Sequence, residues 1–80
     1  MRFPRDLSGK QLVKLLKKLG YEPTRQTGSH VRLTTRQKGE HHVTIPWHDH
    51  LRLGTLAQIL GDVSSHLEIS KEDLIKKIFD

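Results

Sequence analysis

The hydrophobic residues of this chain follow a helical period, then a period of two, then a helical period again, and this order constrains the fold more than any other feature. The first set has helical spacing and consists of Leu12, Leu15, Leu16 and Leu19. Such a stripe predicts an amphipathic helix of about three turns. Ser8 and Gln11 have capping-box spacing at its start, and Gly20 stands where the helix is expected to end.

The middle of the chain predicts a three-stranded antiparallel sheet. Residues 30–34 and 42–45 alternate between apolar and polar side chains, which is typical of strands with one buried face. Residues 21–26 form a weaker strand, which Pro23 restricts to an edge, and residues 36–39 supply a turn that ends in glycine. The polar face of the sheet is expected to display His30, Arg32, His42 and Thr44.

Helical spacing returns after Pro46 and a histidine-rich loop. It runs from Leu56 to Val63, with Thr55 as the expected cap, and a final helix is expected to begin at Ser70. A sheet with helices packed on its single apolar face is the economical arrangement. The sequence therefore predicts one α+β domain over residues 1–80, with the order α-β-β-β-α and a last short helix.

Composition narrows the class of protein. The 80 residues carry 14 Lys and Arg against 9 Asp and Glu, a formal net charge of +5, and ten of the basic residues lie in residues 1–40. A nucleic acid is the first partner that such a balance indicates. There is no cysteine, which excludes disulfides and thiolate chemistry. No apolar run approaches the roughly 18 residues of a membrane span, and the first six residues lack a signal-peptide pattern. We expect a cytoplasmic protein that does not contact membranes.

His30 is the candidate catalytic residue. It follows Gly28 and Ser29 at the start of a strand, on the polar face of the sheet. A neutral imidazole can accept the proton of a ribose 2′-hydroxyl, and an imidazolium can return one to a leaving oxygen. Arg32 is expected on the same face, where a guanidinium can bind the phosphate. In isolation, the same three residues are also compatible with an exposed histidine that has no function.

Four further histidines lie close together in the sequence and leave an alternative open. They are His41, His42, His48 and His50. His48-Asp49-His50 contains two imidazoles and a carboxylate, the donor types of some transition-metal sites. A loop does not fix their spacing, however, and no second acidic residue lies nearby. We therefore expect an RNA-facing loop, with neither metal nor cofactor.

Several short motifs, taken together and in order, resemble the HicA toxin family of bacterial toxin–antitoxin systems, over residues from about Arg5 to Leu60. They are Ser8-Gly9-Lys10-Gln11-Leu12, Leu19-Gly20-Tyr21, Gly28-Ser29-His30, Val43-Thr44-Ile45-Pro46, His48 and Leu53-Gly54-Thr55-Leu56. Two departures concern the loop: Trp47 stands where members often have a basic residue, and the loop is richer in histidine.

The resemblance implies a fold like the double-stranded RNA-binding domain and ribosome-independent cleavage of mRNA. It also implies a HicB-type antitoxin that covers the active face, and it implies His30 as the catalytic residue. Gly28, Ser29, Arg32, His42 and His48 are then the expected RNA-binding residues, with His42 or water as the proton donor. The alternative function is a non-catalytic RNA-binding module of the same fold, in which the lysines of the first helix follow the phosphates of a duplex.

Overall fold

The computed structural model describes residues 6–79. Residues 1–5 and 80 lie outside the described part. They belong to the expected domain, and residues 1–5 also belong to the N-terminal segment that lacks a signal-peptide pattern. The described elements are α1 (Gly9–Lys17), β1 (Glu22–Thr27), β2 (His30–Thr35), β3 (His41–Pro46), α2 (Leu53–Leu67) and α3 (Lys71–Phe79).

The first helix begins where its sequence predicts but ends earlier than expected, at Lys17, with Lys18 as its C-cap, so Leu19 and Gly20 lie in the turn that follows. The hydroxyl of Ser8 accepts from the backbone N–H of Gln11 at 3.1 Å, and the backbone N–H of Ser8 donates to the side-chain oxygen of Gln11 at 2.9 Å. This reciprocal capping box satisfies two otherwise unpaired donors. Leu12 and Leu16 are fully buried, whereas the lysines of α1 are exposed.

The sheet has the order β1-β2-β3, with both pairs antiparallel. Its buried face carries Val31 and Leu33 from β2 and Val43 and Ile45 from β3. The opposite face is open to solvent, and we call it the open face. Gly28, with φ +57°, occupies the first position of the two-residue turn between β1 and β2. Glycine suits this position because other residues rarely adopt positive φ.

A β-bulge interrupts β1 between Pro23 and Arg25. Pro23 is paired with Leu33, and Arg25 with Arg32, so Thr24 is the extra residue. In a regular strand Tyr21 and Arg25 would share a face, because they are four residues apart. The bulge reverses this parity: Arg25 lies on the open face while Tyr21, just before the strand, is fully buried.

Of the remaining helices, α2 packs against β3 on the buried face, and α3 packs against α1 and α2. Thr55 is not the cap of α2, which was the expectation. The helix starts earlier because the carbonyl of Arg52 already accepts from Leu56 N–H, and Arg52 caps it without a side-chain hydrogen bond. At α3, the hydroxyl of Ser70 accepts from Asp73 N–H at 3.0 Å, as predicted.

The core lies between the sheet and the three helices, and the arrangement is the predicted α+β, double-stranded RNA-binding-domain-like fold. None of the helices formed by residues 6–79 combines the length and the hydropathy needed to cross a membrane.

Candidate nucleic-acid site on the open face

A shallow depression of about 230 Å³ lies on the open face, towards the end of the sheet where β1 turns into β2. It is lined by Arg25, Thr27, His30, Arg32 and Thr44. All three strands contribute, since the side chains that point to one face of a sheet come from alternate residues of each strand. The depression therefore contains two of the predicted site residues, His30 and Arg32, side by side.

The imidazole of His30 is exposed, and no residue between 6 and 79 forms a hydrogen bond or an ion pair with it. Thr27 is its partner on β1 and Pro46 its partner on β3. Gly28 and Ser29 form the turn immediately before it, so three of the predicted residues are contiguous at one rim of the depression. An exposed imidazole without a partner is available to exchange protons with a bound molecule.

Arg25 is the site residue that sequence reasoning missed. It is paired directly with Arg32, and both guanidinium groups line the depression. Like charges opposite each other on a sheet destabilise it, and two guanidinium groups are well suited to a phosphate. The signal in the sequence was the two-residue turn at Gly28 and Ser29, because counting back from it places Arg25 opposite Arg32.

His42 lies on the open face but is not close to His30. Its partner is Thr34, four residues along β2 from His30, a separation of roughly 13 Å at the usual rise of a strand. Both ring nitrogens are occupied: Nδ1 lies 2.7 Å from the hydroxyl of Thr34, and Nε2 lies 3.0 Å from the carboxylate of Glu40. The structure therefore does not place His42 where it can exchange a proton with a group bound at His30.

His48 lies at the same end of the sheet as His30. The preceding residue, Trp47, donates its backbone N–H to the carbonyl of Ser29 at 2.6 Å, which extends the β2–β3 ladder by one step. The carbonyl of His48 accepts from Gly9 N–H at 3.0 Å. The side chain of His48 is exposed, so the loop and the turn before His30 form one continuous surface.

The clustered histidines of the sequence are dispersed in the structure. His41 belongs to a separate group on the helix side: its Nδ1 lies 2.8 Å from the hydroxyl of Tyr21, and its Nε2 lies 3.2 Å from Asp62. Its ring stacks on that of His66, with centroids 4.3 Å apart. His50 is exposed and lies 3.8 Å from Asp6. Within the described range 6–79, no three His, Asp or Glu side chains converge as metal ligands.

The hydrogen-bond chain of that group has a definite direction. A carboxylate only accepts, so Nε2–H of His41 donates to Asp62; when the imidazole is neutral, its Nδ1 then accepts from the hydroxyl of Tyr21. Burial, with a smaller contribution from the negative charge of Asp62, raises the pKa of Tyr21 to about 12. The hydroxyl of Tyr21 is therefore a donor at neutral pH that joins the start of β1 to β3 and α2.

Comparison with known proteins identifies the family. The fold defines a small α+β domain with an arrangement like that of the double-stranded RNA-binding domain. A family model described as "HicA toxin of bacterial toxin-antitoxin" matches residues 9–64, more than two thirds of the chain. The chain belongs to the HicA toxin family, which confirms the resemblance, and it is the toxin component of a toxin–antitoxin pair. Searches of curated proteins and of solved structures give no significant match.

Proposed function

We propose that this toxin is an endoribonuclease that cleaves mRNA without a metal, with His30 as its catalytic residue. One observation carries the proposal: His30, whose imidazole has no hydrogen-bond partner among residues 6–79, lines the same depression as Arg25 and Arg32. This combination provides a proton acceptor beside two groups that bind phosphate.

The geometry supports transesterification by the 2′-hydroxyl of the substrate. His30 accepts the proton of this hydroxyl, the 2′-oxygen forms a bond to phosphorus, and the bond from phosphorus to the 5′-oxygen breaks. Arg25 and Arg32 stabilise the negative charge on the non-bridging oxygens during this step. Water returns a proton to the 5′-oxygen, since His42 is about 13 Å away along the strand. The products are a 2′,3′-cyclic phosphate and a 5′-hydroxyl.

The rest of the RNA follows the open face in both directions from His30. The backbone N–H groups at Gly28 and Ser29 and the side chain of His48 contact RNA at one end of the face. His42 contacts it at the other end. His42, the residue that could have joined the loop histidines as a metal ligand, is instead engaged by Thr34 and Glu40, which supports a mechanism without a metal.

A protein antitoxin and an RNA substrate follow from family membership. We further propose that the antitoxin is of the HicB type and covers the open face, so that it occludes His30. We also propose that residues 1–80 form a single domain and that the toxin acts in the cytoplasm, where mRNA is found.

The decisive experiment compares the wild type with His30→Ala in cleavage of purified mRNA in the presence of EDTA. We expect the substitution to lower the rate by about 10²-fold or more, and the wild-type products to carry 2′,3′-cyclic phosphates. His50→Ala is the matched control, because that exposed imidazole lies outside the depression. Expression of the wild type is expected to arrest growth of the host, whereas His30→Ala is expected to relieve the arrest.

Full activity in His30→Ala would refute the catalytic assignment, and loss of activity in EDTA would refute metal independence. The alternative, a non-catalytic module, predicts binding to duplex RNA with a steep salt dependence. In that case Lys14→Glu on the exposed face of α1 would abolish binding, and His30→Ala would not change it.

A further inference from the structure

A second depression lies on the open face, towards the end of the sheet away from His30. Its volume is about 500 Å³, and it is lined by Gly20, Glu22, Thr24, Thr34, Arg36 and Gln37. Thr34 alternates with His30 and Arg32 along β2, so its side chain is on the same face, roughly 13 Å from His30 along the strand. RNA that extends from His30 along the open face, in the proposed binding mode, therefore passes over this second depression.

Hydrogen bonds hold the backbone around the second depression. The hydroxyls of Thr24 and Thr34 lie 2.8 Å apart, and that of Thr34 also lies 2.7 Å from Nδ1 of His42. The carbonyl of Gln37 lies 2.9 Å from Nε2 of His66, which fixes the start of the next turn. The strands and the turn that carry the lining side chains are thus ordered in advance, and a ligand has little backbone to immobilise.

Two side chains of opposite charge, Glu22 and Arg36, give the second depression its chemical character. Both are exposed, and no salt bridge among residues 6–79 involves either of them. Glu22 is paired with Thr34, and Arg36 lies two residues beyond this partner, a diagonal separation of roughly 7–8 Å. The carboxylate and the guanidinium group are therefore available to one ligand placed between them.

A base suits this pair of charges better than a phosphate does. The carboxylate of Glu22 repels a phosphate, whereas the depression at His30 is lined by Arg25 and Arg32 and by no carboxylate. The edge of a base is uncharged and carries both N–H donors and acceptors, so a carboxylate and a guanidinium group can bind it together. The distribution of charge along the open face thus favours phosphate at His30 and a base at the second depression.

Guanine matches the two groups best. Its Watson–Crick edge has two adjacent donors, N1–H and N2–H, for the two oxygens of one carboxylate, while its O6 and N7 accept from a guanidinium group. Each other base has one donor group on that edge, next to an acceptor that repels the second carboxylate oxygen. We propose that the second depression binds a guanine of the substrate, with Glu22 at N1–H and N2–H and Arg36 at O6 and N7. This inference rests on the proposed function and adds a base preference and the residues that determine it.

The test measures binding of 2′-O-methyl oligonucleotides, which lack the free 2′-hydroxyl that the proposed cleavage requires. The wild-type protein is titrated with a labelled oligouridylate that contains one central guanosine, and with the same oligonucleotide in which inosine replaces the guanosine. Inosine lacks the N2 amino group but keeps N1–H, O6 and N7. We expect the replacement to weaken binding by about tenfold. Equal affinity for the two oligonucleotides would overturn the inference.

Substitutions assign the preference to Glu22. In Glu22→Gln the two affinities should lie within about twofold of each other, because an amide has one acceptor oxygen where a carboxylate has two. Glu72→Gln is the matched control, since it removes the same charge from an exposed position on α3, and it should keep the wild-type preference. A preference that persists undiminished in Glu22→Gln refutes the inference.

A second base analogue tests the contact from Arg36. Replacement of the guanosine by 7-deazaguanosine removes the N7 acceptor, and we expect it to weaken binding to the wild type by about threefold. Binding to Arg36→Gln should not change with this replacement. An effect of the same size in both proteins would refute the contact between Arg36 and N7.

The inference and the proposed function fail in different ways, because the binding assay does not depend on cleavage. If His30→Ala abolishes cleavage while the guanosine and inosine oligonucleotides bind equally, the proposed function stands and the base preference is refuted. If the preference is present and depends on Glu22 while His30→Ala cleaves normally, the base site stands and the catalytic assignment is refuted.

Discussion

Arg25 and Arg32 face each other across β1 and β2 on the open face of the sheet. No carboxylate among residues 6–79 forms a salt bridge with either guanidinium group. The pair therefore has an unfavourable charge interaction in the free protein that a bound phosphate removes.

We predict that Arg25→Gln weakens binding of RNA but does not weaken the fold. Removal of one positive charge relieves the repulsion, so the free energy of unfolding should stay the same or rise by a few tenths of a kcal/mol. The slope of log affinity against log salt concentration should fall in magnitude by about one. Urea unfolding and RNA titration at several salt concentrations measure both effects.

Lys14→Gln is the control for this prediction, because Lys14 is an equally exposed cation on α1, which packs against the opposite face of the sheet. An unchanged salt slope in Arg25→Gln, together with a reduced slope in Lys14→Gln, would show that the nucleic acid binds the helix instead of the open face.

His42→Ala should leave cleavage within a few-fold of the wild type. The imidazole of His42 is engaged by Thr34 and Glu40 and lies roughly 13 Å from His30 along the strands. Single-turnover cleavage rates compare this variant with His30→Ala. A loss as large as that of His30→Ala would contradict this prediction and would assign the role of proton donor to His42.

Alkaline pH should destabilise the protein through Tyr21. Its pKa is raised to about 12 in the folded state, against about 10 for an unperturbed tyrosine. The stabilisation is complete below pH 10, where both states are neutral, and is lost as the pH rises through 12, because the unfolded state ionises first. Two pKa units correspond to roughly 2–3 kcal/mol.

Tyr21→Phe isolates this contribution from the titration of lysines over the same range. At neutral pH the variant should lose about 1 kcal/mol, since Nδ1 of His41 loses its donor. Between pH 10 and 12 its stability should fall less steeply than that of the wild type. Urea unfolding at a series of pH values measures this. The prediction is contradicted if the free energy of unfolding falls equally steeply with pH in the two proteins.

Two glycines should respond in opposite ways to substitution by alanine. Gly9→Ala places a Cβ against the carbonyl oxygen of Pro46, so the segment that carries Trp47 must move, at a cost of about 1–3 kcal/mol. Gly54→Ala, in the first turn of α2, meets nothing within 4 Å and should stabilise the helix by up to about 1 kcal/mol. Thermal unfolding measures both, and a tolerated Gly9→Ala would disprove the close packing.

Local patterns predicted much of the fold. The capping box at Ser8 fixed the start of α1, and the alternation in β2 and β3 fixed which side chains are buried. The start of α2 was misplaced because it depends on how the loop after Pro46 packs, and Thr55 only resembled a cap. Helix starts without a side-chain hydrogen bond, such as that at Arg52, leave little trace in a sequence.

The candidate site was predicted in part, for a similar reason. His30 and Arg32 are two residues apart in one regular strand, so the alternation of side chains alone predicts that both lie on the same face. Arg25 lies beyond a turn and next to a bulge, and its position depends on pairing between strands. The proximity of Trp47 to Ser29 and the engagement of His42 by Thr34 also arise from pairing between strands, and local sequence does not show them.

The bulge at Thr24 makes β1 tolerant of a change in chain length at one position. Pro23 and Arg25 pair with Leu33 and Arg32, which are consecutive residues of β2. Deletion of Thr24 would therefore leave every other residue of β1 opposite its present partner. Deletion within β2, for example of Thr34, would instead move buried residues to the solvent face. We therefore expect single-residue gaps among related toxins to occur at this bulge, because the chain can shorten there without moving other side chains from one face of the sheet to the other.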